Sequence, residues 1–539
     1  MPALSAGFWQ GSYDDSTLCQ SQRPEVQLLL CCARTFINAA TAETIETLCY
    51  GDLDWPWLLS LAAQHDVTCL LYQSLQDTCS DAVPAPVIDQ LRQDFQTWTL
   101  NTLFFTQELL KLLQLFEAHH IPVLPYKGPA LAVALYGNLS LRPFCDLDLL
   151  IHPQDLVRVK PLLAAQGYDT LAVDDAQEAA NLWSDSERDF VRQDGKVVLD
   201  LHWRITPRFF PFELPVEELW ERRQSLSLLG TTVSTLAPED LLLALCAHGA
   251  KECWGKLKWI CDVAELIRAY PNLDWDRVLT QAKQLHSQRM LLLGVGLAWQ
   301  LLGVRVPETV LVAIQSDGAS AILPSVDRAS HTAGGNRDLP ALMQQVCSYL
   351  FGSQPGQSRQ LSPTLFRLRV RDRISDRVQY FVWRLFVPNV RDRQLIVLPK
   401  PLTFFYYLLR PLRLLGEKLG FVHRRILGGN SADQHQRAAT VQPDVDRAVS
   451  ANTTTRPRCK CVDVYDLGDE LLIYSSDREL GITLNHSSKQ IWQLCDGTHT
   501  LEDIATILSQ QLGCAPGALL EDICTTVMQF HNLGLLESL

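Results

Sequence analysis

The most constraining feature of this chain is a pair of acidic residues inside an apolar run. Asp146 and Asp148 are separated by one leucine and followed by the apolar residues 149–151. Side chains alternate between the two faces of a β-strand, so both carboxylates are predicted to project from one face of a buried strand. Burial increases the repulsion between them, and a divalent cation is the simplest compensation. Mg²⁺, which commonly binds through carboxylates and substrate phosphates, fits this pattern.

A third acid lies in a second apolar run. Residues 196–203, KVVLDLHW, predict a strand that carries Asp200, with His202 on the same face. A third carboxylate beside the pair would complete a metal site and act on the proton of a nucleophile. His202 is expected to be a structural histidine or to orient Asp200, rather than to act as a base.

A strand-to-helix turn precedes the acid pair. Residues 121–126 predict a short strand, which leads through Lys127, Gly128 and Pro129 into an apolar helix over residues 130–136. Glycine at such a turn allows close backbone approach, and a helix N-terminus favours phosphate. Pro129 suits the first helical position.

This layout resembles the nucleotidyltransferase superfamily of the polymerase-beta type, and more closely a bacterial family of uncharacterised nucleotidyltransferases. The resemblance covers roughly residues 25–310. It is carried by Tyr126-Lys127-Gly128, by Leu135-Tyr136-Gly137, by Arg142 ahead of Asp146-Leu147-Asp148, by Asp200-Leu201-His202-Trp203, and by His248-Gly249 followed by Trp259-Ile260-Cys261-Asp262.

The resemblance implies roles for these residues. Asp146 and Asp148 would hold Mg²⁺ and Asp200 would be the third acid, while the substrate would be a nucleoside triphosphate, with ATP expected. The residues that the resemblance places at the nucleotide are Lys127, Gly128, Arg142, His202, His248 and Asp262. One departure stands out, because the superfamily has Gly-Ser at the turn and this chain has Gly128-Pro129, without the hydroxyl or the second N–H.

Structural alternatives stay open for several of these residues. Lys127 could simply neutralise the acid pair, and Arg142 could form an ion pair with the same acids. His248 lies in a helical apolar run, where a lone histidine is more often a hydrogen-bonded core residue. Asp262 could form a salt bridge with Lys251 or Lys258.

The C-terminal residues 457–539 carry an independent signal. Short alternating stretches predict small antiparallel strands, and Thr500 to Asp503 form a capping box that opens a helix. The predicted sum of three strands and three helices is a small winged-helix domain. The runs 484–500, 501–504 and 533–536 closely resemble the PqqD-like family of peptide-recognition domains in ribosomal peptide modification systems.

That second resemblance implies a leader peptide bound as an added strand at the sheet edge. Candidate residues for this face are Asp463, Tyr465, Leu472 and Tyr474. Winged helices also bind DNA, but residues 460–539 contain three basic and twelve acidic residues. Phosphate contacts dominate DNA affinity, so peptide recognition is favoured and DNA is not an expected partner.

Composition sets the wider frame. The net charge of −13 argues against nucleic-acid binding by the whole chain, and the 16 cysteines contain no CxxC pair. Buried free thiols suit a cytoplasmic protein, and no signal peptide is expected. Residues 361–425 differ, with fourteen basic and four acidic residues among aromatic ones. They suit an anionic membrane surface or a partner protein, or they neutralise the acidic body of the same protein.

The fold class is therefore α+β multidomain, with a nucleotidyltransferase mixed sheet embedded in helical domains and a small winged-helix domain at the end. The predicted organisation is a helical region (1–118), a catalytic core (119–212), a helical domain (213–310), a loop or hinge (311–360), a basic aromatic-rich helical region (361–426), a flexible linker (427–456) and the PqqD-like domain (457–539).

The predicted function is Mg²⁺-dependent nucleotidyl transfer in ribosomal peptide maturation. One alternative is a catalytically inactive nucleotide-binding scaffold that delivers a precursor peptide to a partner enzyme. Another is an antitoxin-like or small-molecule-modifying transferase with a regulatory C-terminal domain.

Overall fold

The structure, a computed structural model, describes most of the first 387 residues and parts of the remainder. The described residues are 23–170, 186–210, 212–315, 338–352, 362–387, 405–411, 413–414, 457–459, 463–466, 471–475, 480–484, 486–512, 519–520, 523–524, 526–528, 530 and 535–538. The chain divides into two compact units, one made of residues 1–193 and 197–381 and the other of residues 194–196 and 382–539.

The first unit begins with helices. Their bounds are α1 Pro24–Cys32, α2 Ala39–Cys49, α3 Trp55–Gln64, α4 Thr68–Thr78 and α5 Ala85–Ala118. The side chains of Asn38 and Asp54 cap α2 and α3, because each accepts a hydrogen bond from a backbone N–H in the first turn. Helices thus occupy the stretches where the sequence shows helical spacing.

A five-stranded mixed sheet follows. Its strands are β1 Val123–Pro125, β2 Asp146–Ile151, β3 Tyr168–Thr170, β4 Glu187–Arg192 and β5 Val198–His202. The order is β1-β2-β5-β4-β3, in which β2 and β5 are parallel and the other neighbours are antiparallel. Helix α6 Gly128–Tyr136 connects β1 to β2, and helix α7 Leu156–Ala165 connects β2 to β3. The strands predicted from the acidic runs are confirmed.

Alternation along β2 gives the sheet two different faces. Leu147, Leu149 and Ile151 lie in a core formed with α5 and α7, while Leu150 belongs to the large core that includes α6 and the later helices. Asp146 and Asp148 share the face of Leu150, since they are an even number of residues from it. Packing on both faces therefore fixes the direction in which the two carboxylates point.

A hairpin and a helical layer complete the first unit. The hairpin strands are β6 Gln224–Leu228 and β7 Thr231–Thr235, and the helices are α8 Val216–Arg222, α9 Pro238–Lys251, α10 Leu257–Ala269, α11 Trp275–Gln284, α12 Gln288–Leu302, α13 Glu308–Gln315, α14 Asp338–Phe351, α15 Pro363–Arg369 and α16 Ile374–Phe386. The side chain of Trp254, between α9 and α10, is fully buried in the large core.

Part of the segment predicted as a loop or hinge, residues 311–360, is helical. Helices α13 and α14 occupy part of it, and residues 316–337 and 353–361 lie outside the described part of the chain. The physical reason is visible in α14, where apolar residues recur at helical spacing and are buried in the large core: Leu339, Leu342, Met343, Val346 and Leu350.

The second unit contains the C-terminal domain. Its described strands are β8 Arg458–Cys459, β9 Asp463–Asp466, β10 Leu471–Ser475, β11 Leu480–Leu484 and β12 Leu536–Ser538, and its helices are α17 His486–Leu494 and α18 Leu501–Leu512. The strands pair as a β11-β10-β9 sheet and a separate β12-β8 ribbon. Ile491, Trp492 and Ile504 pack with Val527 and Phe530 in one core.

The capping box at the start of α18 is confirmed. The backbone N–H of Thr500 donates to Asp503 Oδ2 at 2.9 Å, and the backbone N–H of Asp503 donates to Thr500 Oγ1 at 3.1 Å. The third predicted helix, between residues 519 and 530, is only partly within the described residues, as is the basic region 361–426. The predicted linker 427–456 lies wholly outside them. Within the described chain, every helix is too short or too polar to cross a membrane.

Packing around Trp254 yields a stability prediction. A Cβ built on Gly249 would lie 2.5 Å from the buried Trp254 ring, so either the ring or the backbone of α9 would have to move. Gly249→Ala is expected to lower the free energy of unfolding by about 2 kcal/mol, as overpacked cores do. Urea unfolding followed by tryptophan fluorescence measures the change. Gly255→Ala is the matched control, because its nearest contact would be an ordinary 3.5 Å; equal stability of the two variants would contradict the prediction.

Candidate active site

The register of β2 and β5 brings two of the three predicted acids together. Asp148 lies directly opposite Asp200, while Asp146 lies opposite Val198. In the described part of the chain, Asp148, Asp200 and His202 offer ligand atoms within 4.8 Å of one another. Asp146 shares their face and stands one step further along β2, close enough that the Asp148 charge contributes to raising its pKa, after burial.

Lys127 reaches this cluster from the turn before α6. Its Nζ donates to Asp148 Oδ1 at 2.9 Å, and both side chains are largely buried. Burial opposes the charged ammonium, but the Asp148 carboxylate outweighs burial and raises the pKa of Lys127. Gly128 has φ +55°, and a Cβ there would lie 3.4 Å from the Asp146 carbonyl oxygen. The structure therefore places Lys127 at the acid pair, as the neutralising alternative expects.

His202 lies between two carboxylates. Its Nε2 is 3.0 Å from Asp148 Oδ1 and its Nδ1 is 3.0 Å from Glu187 Oε2, the latter an ion pair rather than an aligned hydrogen bond. Burial would lower the pKa of His202, but the contacts with Asp148 and Glu187 outweigh burial and raise it to about 9. Burial would raise the pKa of Glu187, but the contact with His202 outweighs burial and lowers it to about 2.

Asp148 and Asp200 differ sharply in charge state. Burial raises the pKa of Asp148, yet Lys127 and His202 outweigh burial and hold it well below its usual range. Burial, followed by the charges of Asp148, Asp189 and Asp146, raises the pKa of Asp200 to about 8. The cluster thus retains negative charge that its own cations do not balance around Asp200. Carboxylate oxygens with this excess of negative charge fit a divalent cation.

Arg142 has a different partner from the one predicted. Its Nε and Nη2 donate to Asp262 Oδ1 and Oδ2 at 2.7 and 2.9 Å, and Tyr136 Oη donates to the same carboxylate at 2.8 Å. This bidentate pair is buried and joins the segment before β2 to helix α10. Asp262 therefore pairs with Arg142, and the expected salt bridge to Lys251 or Lys258 is wrong.

His248 lies on α9, with its ring edge-on to Trp259 at 5.5 Å. Burial, followed by the charges of Lys127 and Lys251, lowers the pKa of His248 well below its ordinary value. The ring is therefore a neutral imidazole within electrostatic reach of Lys127. The roles predicted for His248 and the other nucleotide-site residues stay predictions.

Sequence reasoning missed three charged residues around this cluster. Glu187 and Asp189 lie on β4, where they pair with His202 and Asp200 in register. A signal was available, because the dipeptide Asp194-Gly195, shortly before the apolar run 197–199, is typical of a hairpin turn. The third residue is Lys251, at the end of α9, whose charge helps to lower the pKa values of Glu187 and His248.

The predicted peptide-contacting residues occupy paired positions in the second unit. Leu472 is opposite Tyr465, and Tyr474 is opposite Asp463. Strand β9 lies at one edge of its sheet and β10 in the middle. Backbone register thus places the four residues next to one another, and their contact with a peptide stays a prediction.

A mixed sheet that presents paired carboxylates on neighbouring parallel strands is the arrangement of a nucleotidyltransferase-like domain. Residues 51–303 match the family model described as "Uncharacterised nucleotidyltransferase", and residues 470–536 match the model described as "Coenzyme PQQ synthesis protein D (PqqD)". Both resemblances drawn from the sequence are confirmed. The chain carries a nucleotidyltransferase-like domain and a PqqD domain.

The similarity to a solved structure is weaker than the two family matches. A crystal structure of an antigenic nucleotidyltransferase-like protein from Paracoccidioides brasiliensis shares 14% sequence identity, and the match covers 40% of this chain and 95% of that one with a TM-score of 0.22. A TM-score this low does not establish a shared fold. Among curated proteins, none matches the sequence.

The raised pKa of Asp200 yields a prediction about stability and pH. The folded chain holds a proton on Asp200 that the unfolded chain releases above its ordinary pKa of 3.8, so stability is lost as the pH rises toward about 8. Asp200→Asn removes this loss. In the presence of a chelator, the variant is expected to be more stable than the wild type by about 2 kcal/mol at pH 8.5, after allowance for partial exposure, with a smaller gap at pH 5.

Urea unfolding at the two pH values measures this gap. Asp169→Asn, an exposed position on the edge strand β3, is the matched control and should show the wild-type pH dependence. If Asp200→Asn is less stable than the wild type at both pH values, the carboxylate is not in an excess of negative charge.

Proposed function

We propose that this protein is a Mg²⁺-dependent nucleotidyltransferase that acts in the maturation of a ribosomally made peptide. One observation carries the proposal, namely the direct pairing of Asp148 and Asp200 on parallel strands of a domain that matches a nucleotidyltransferase family. A divalent cation bound there would neutralise the triphosphate and polarise the phosphorus that is attacked.

Three acidic residues would have different roles around that cation. Asp148, held ionised by Lys127 and His202, supplies a permanent carboxylate ligand. Asp200, whose pKa is raised to about 8, is suited to accept the proton of the attacking hydroxyl or amine. Asp146 supplies a further oxygen ligand on the same face of β2.

Phosphate binding needs a cation that is not already committed. Lys127 and Arg142, the two predicted phosphate contacts, are hydrogen-bonded to Asp148 and Asp262. Lys251 is different, since its Nζ contacts only the neighbouring Glu252 carboxylate, at 3.4 Å, among the ion pairs of the described chain. The charge of Lys251 contributes to lowering the pKa values of Glu187 and His248. We therefore assign the triphosphate contact to Lys251.

The PqqD domain would supply the acceptor. An extended leader peptide adds to an exposed sheet edge through free backbone groups, and β9 offers such an edge in the described residues. Asp463 and Tyr465 on β9, with Leu472 and Tyr474 on β10, would read the peptide side chains. The winged-helix arrangement of this domain, a partner modification enzyme and contact of residues 361–425 with a membrane stay predictions.

A scaffold without catalysis is the second candidate. It is favoured by two features of the turn, namely Pro129 in place of the superfamily serine and the ion pair between Lys127 and Asp148. In that case the nucleotide would be bound without transfer, and the PqqD domain would deliver the peptide to another enzyme.

The catalytic proposal predicts transfer of label from [α-³²P]ATP. With Mg²⁺ and a leader peptide taken from a neighbouring precursor gene, the wild-type chain should label an acceptor. Asp148→Asn should reduce the rate about 10³-fold, because it removes the ionised ligand. Gel autoradiography measures the transfer, and Asp169→Asn is the control. Peptide binding without transfer by the wild type, in trials with all four nucleotides, would establish the scaffold instead.

The assignment of Lys251 predicts a loss of nucleotide affinity. Lys251→Met should weaken ATP binding about tenfold, since one charge-assisted contact with phosphate is lost, and Lys251→Arg should retain most of it. Isothermal titration with ATP and Mg²⁺ measures both. Lys111→Met is the matched control, because Lys111 is exposed on α5 and pairs only with Glu108. Unchanged affinity in Lys251→Met would refute the assignment.

A further inference from the structure

The site contains a nitrogen donor, His202, which the sequence predicted as a structural histidine or as a group that orients Asp200, and which the resemblance placed at the nucleotide. A ring nitrogen of His202 lies within 4.8 Å of carboxylate oxygens of both Asp148 and Asp200, and its Nε2 is 3.0 Å from Asp148 Oδ1. The ring is almost fully buried, at 2% exposure, on the strand that also carries Asp200. Asp146 is not part of this close set. The three groups that converge are therefore two carboxylates and one imidazole, which differs from an all-oxygen set.

Glu187 stands behind the imidazole in the manner of a supporting carboxylate. Its Oε2 lies 3.0 Å from His202 Nδ1, on the side of the ring away from Asp148. Histidines that bind metals usually give their other ring nitrogen to a carboxylate, which fixes the ring and raises its basicity. The ion pair with Glu187 thus favours the ring orientation in which Nε2 faces Asp148.

Tyr126 supports the same interpretation independently. Its ring packs edge-on against His202 at 5.4 Å, which restrains the imidazole further. Its hydroxyl is buried and has no hydrogen-bond partner among the described residues, and the charges of Lys127, Asp148, Glu187 and Asp200 all act on it. Buried hydroxyl groups are normally paired, so an unpaired one beside this cluster points to a ligand or its bound water.

From these contacts we propose that Asp148, Asp200 and His202 form a mixed carboxylate–imidazole site that binds a divalent transition metal more tightly than the Mg²⁺ of the proposed function. The proposal rests on the proposed function, since it concerns the cation of the same site. Mg²⁺ takes oxygen ligands almost exclusively, whereas an imidazole nitrogen increases affinity for metals from manganese to zinc. On binding, the Nε2 proton of the ring is released to solvent and the cation takes its place.

The test uses Mn²⁺ with the full chain in the absence of nucleotide. Pulsed electron paramagnetic resonance should detect ¹⁴N coupling between bound Mn²⁺ and one imidazole. Competition of Mg²⁺ against Mn²⁺, followed by the signal of free Mn²⁺, gives the ratio of the two affinities. His202→Gln should abolish the ¹⁴N coupling and reduce that ratio at least about fivefold. His65→Gln, which removes a buried imidazole elsewhere, should leave both unchanged.

A second variant keeps the proposal testable if His202→Gln does not fold. Glu187→Gln keeps the imidazole, so the ¹⁴N coupling should persist while Mn²⁺ affinity falls about tenfold, as for other supporting carboxylates. Mn²⁺ bound without ¹⁴N coupling in the wild type, or no Mn²⁺ binding at all, would overturn the inference. Either result leaves the transfer assay with Mg²⁺ to judge the proposed function separately. Conversely, ¹⁴N coupling without nucleotidyl transfer would preserve the metal site and refute the enzyme.

Discussion

The candidate site depends on an unequal distribution of charge between two paired carboxylates. Parallel pairing of β2 and β5 places Asp148 opposite Asp200. Two cationic side chains, Lys127 and His202, contact Asp148. Asp148 is therefore stabilised as an anion, while Asp200 meets the charges of the other acids. Two identical groups acquire different properties from their neighbours alone, which is the condition for one to bind and the other to exchange a proton.

The sheet maintains this unfavourable arrangement because β2 is held from both sides. Leu147, Leu149 and Ile151 are fully buried against α5 and α7, and Leu150 is buried in the opposite core. Each such side chain contributes roughly 1.5–3 kcal/mol on burial. A one-residue slip of β2 would turn the first three toward the face of the site and place the carboxylates among the apolar residues of α5 and α7, so the hydrophobic register itself fixes where the acids lie.

The sequence was sufficient to predict the strands and the acids, but not their partners. Periodicity of two identified β2 and β5, and the shared face of Asp146 and Asp148 followed from it. Nothing in local periodicity could show that Arg142 pairs with Asp262, since 120 residues separate them. The same limit applies to Glu187, although the Asp-Gly turn after it offered a hairpin signal. Helix α14 was missed for a different reason, namely that the polar sequence before it dominated the interpretation of the whole segment.

The departure at Gly128-Pro129 has a physical meaning in this fold. Gly128 is favoured by its positive φ, which other residues rarely adopt, whether or not a phosphate binds there. Pro129 is compatible with the first turn of α6, because an N–H at that position has no intrahelical acceptor. The turn thus delivers the ammonium of Lys127 to Asp148 instead of a hydroxyl to phosphate. Phosphate recognition would then fall to the helical layer, where Lys251 ends α9, so that nucleotide binding requires the sheet and the helices together.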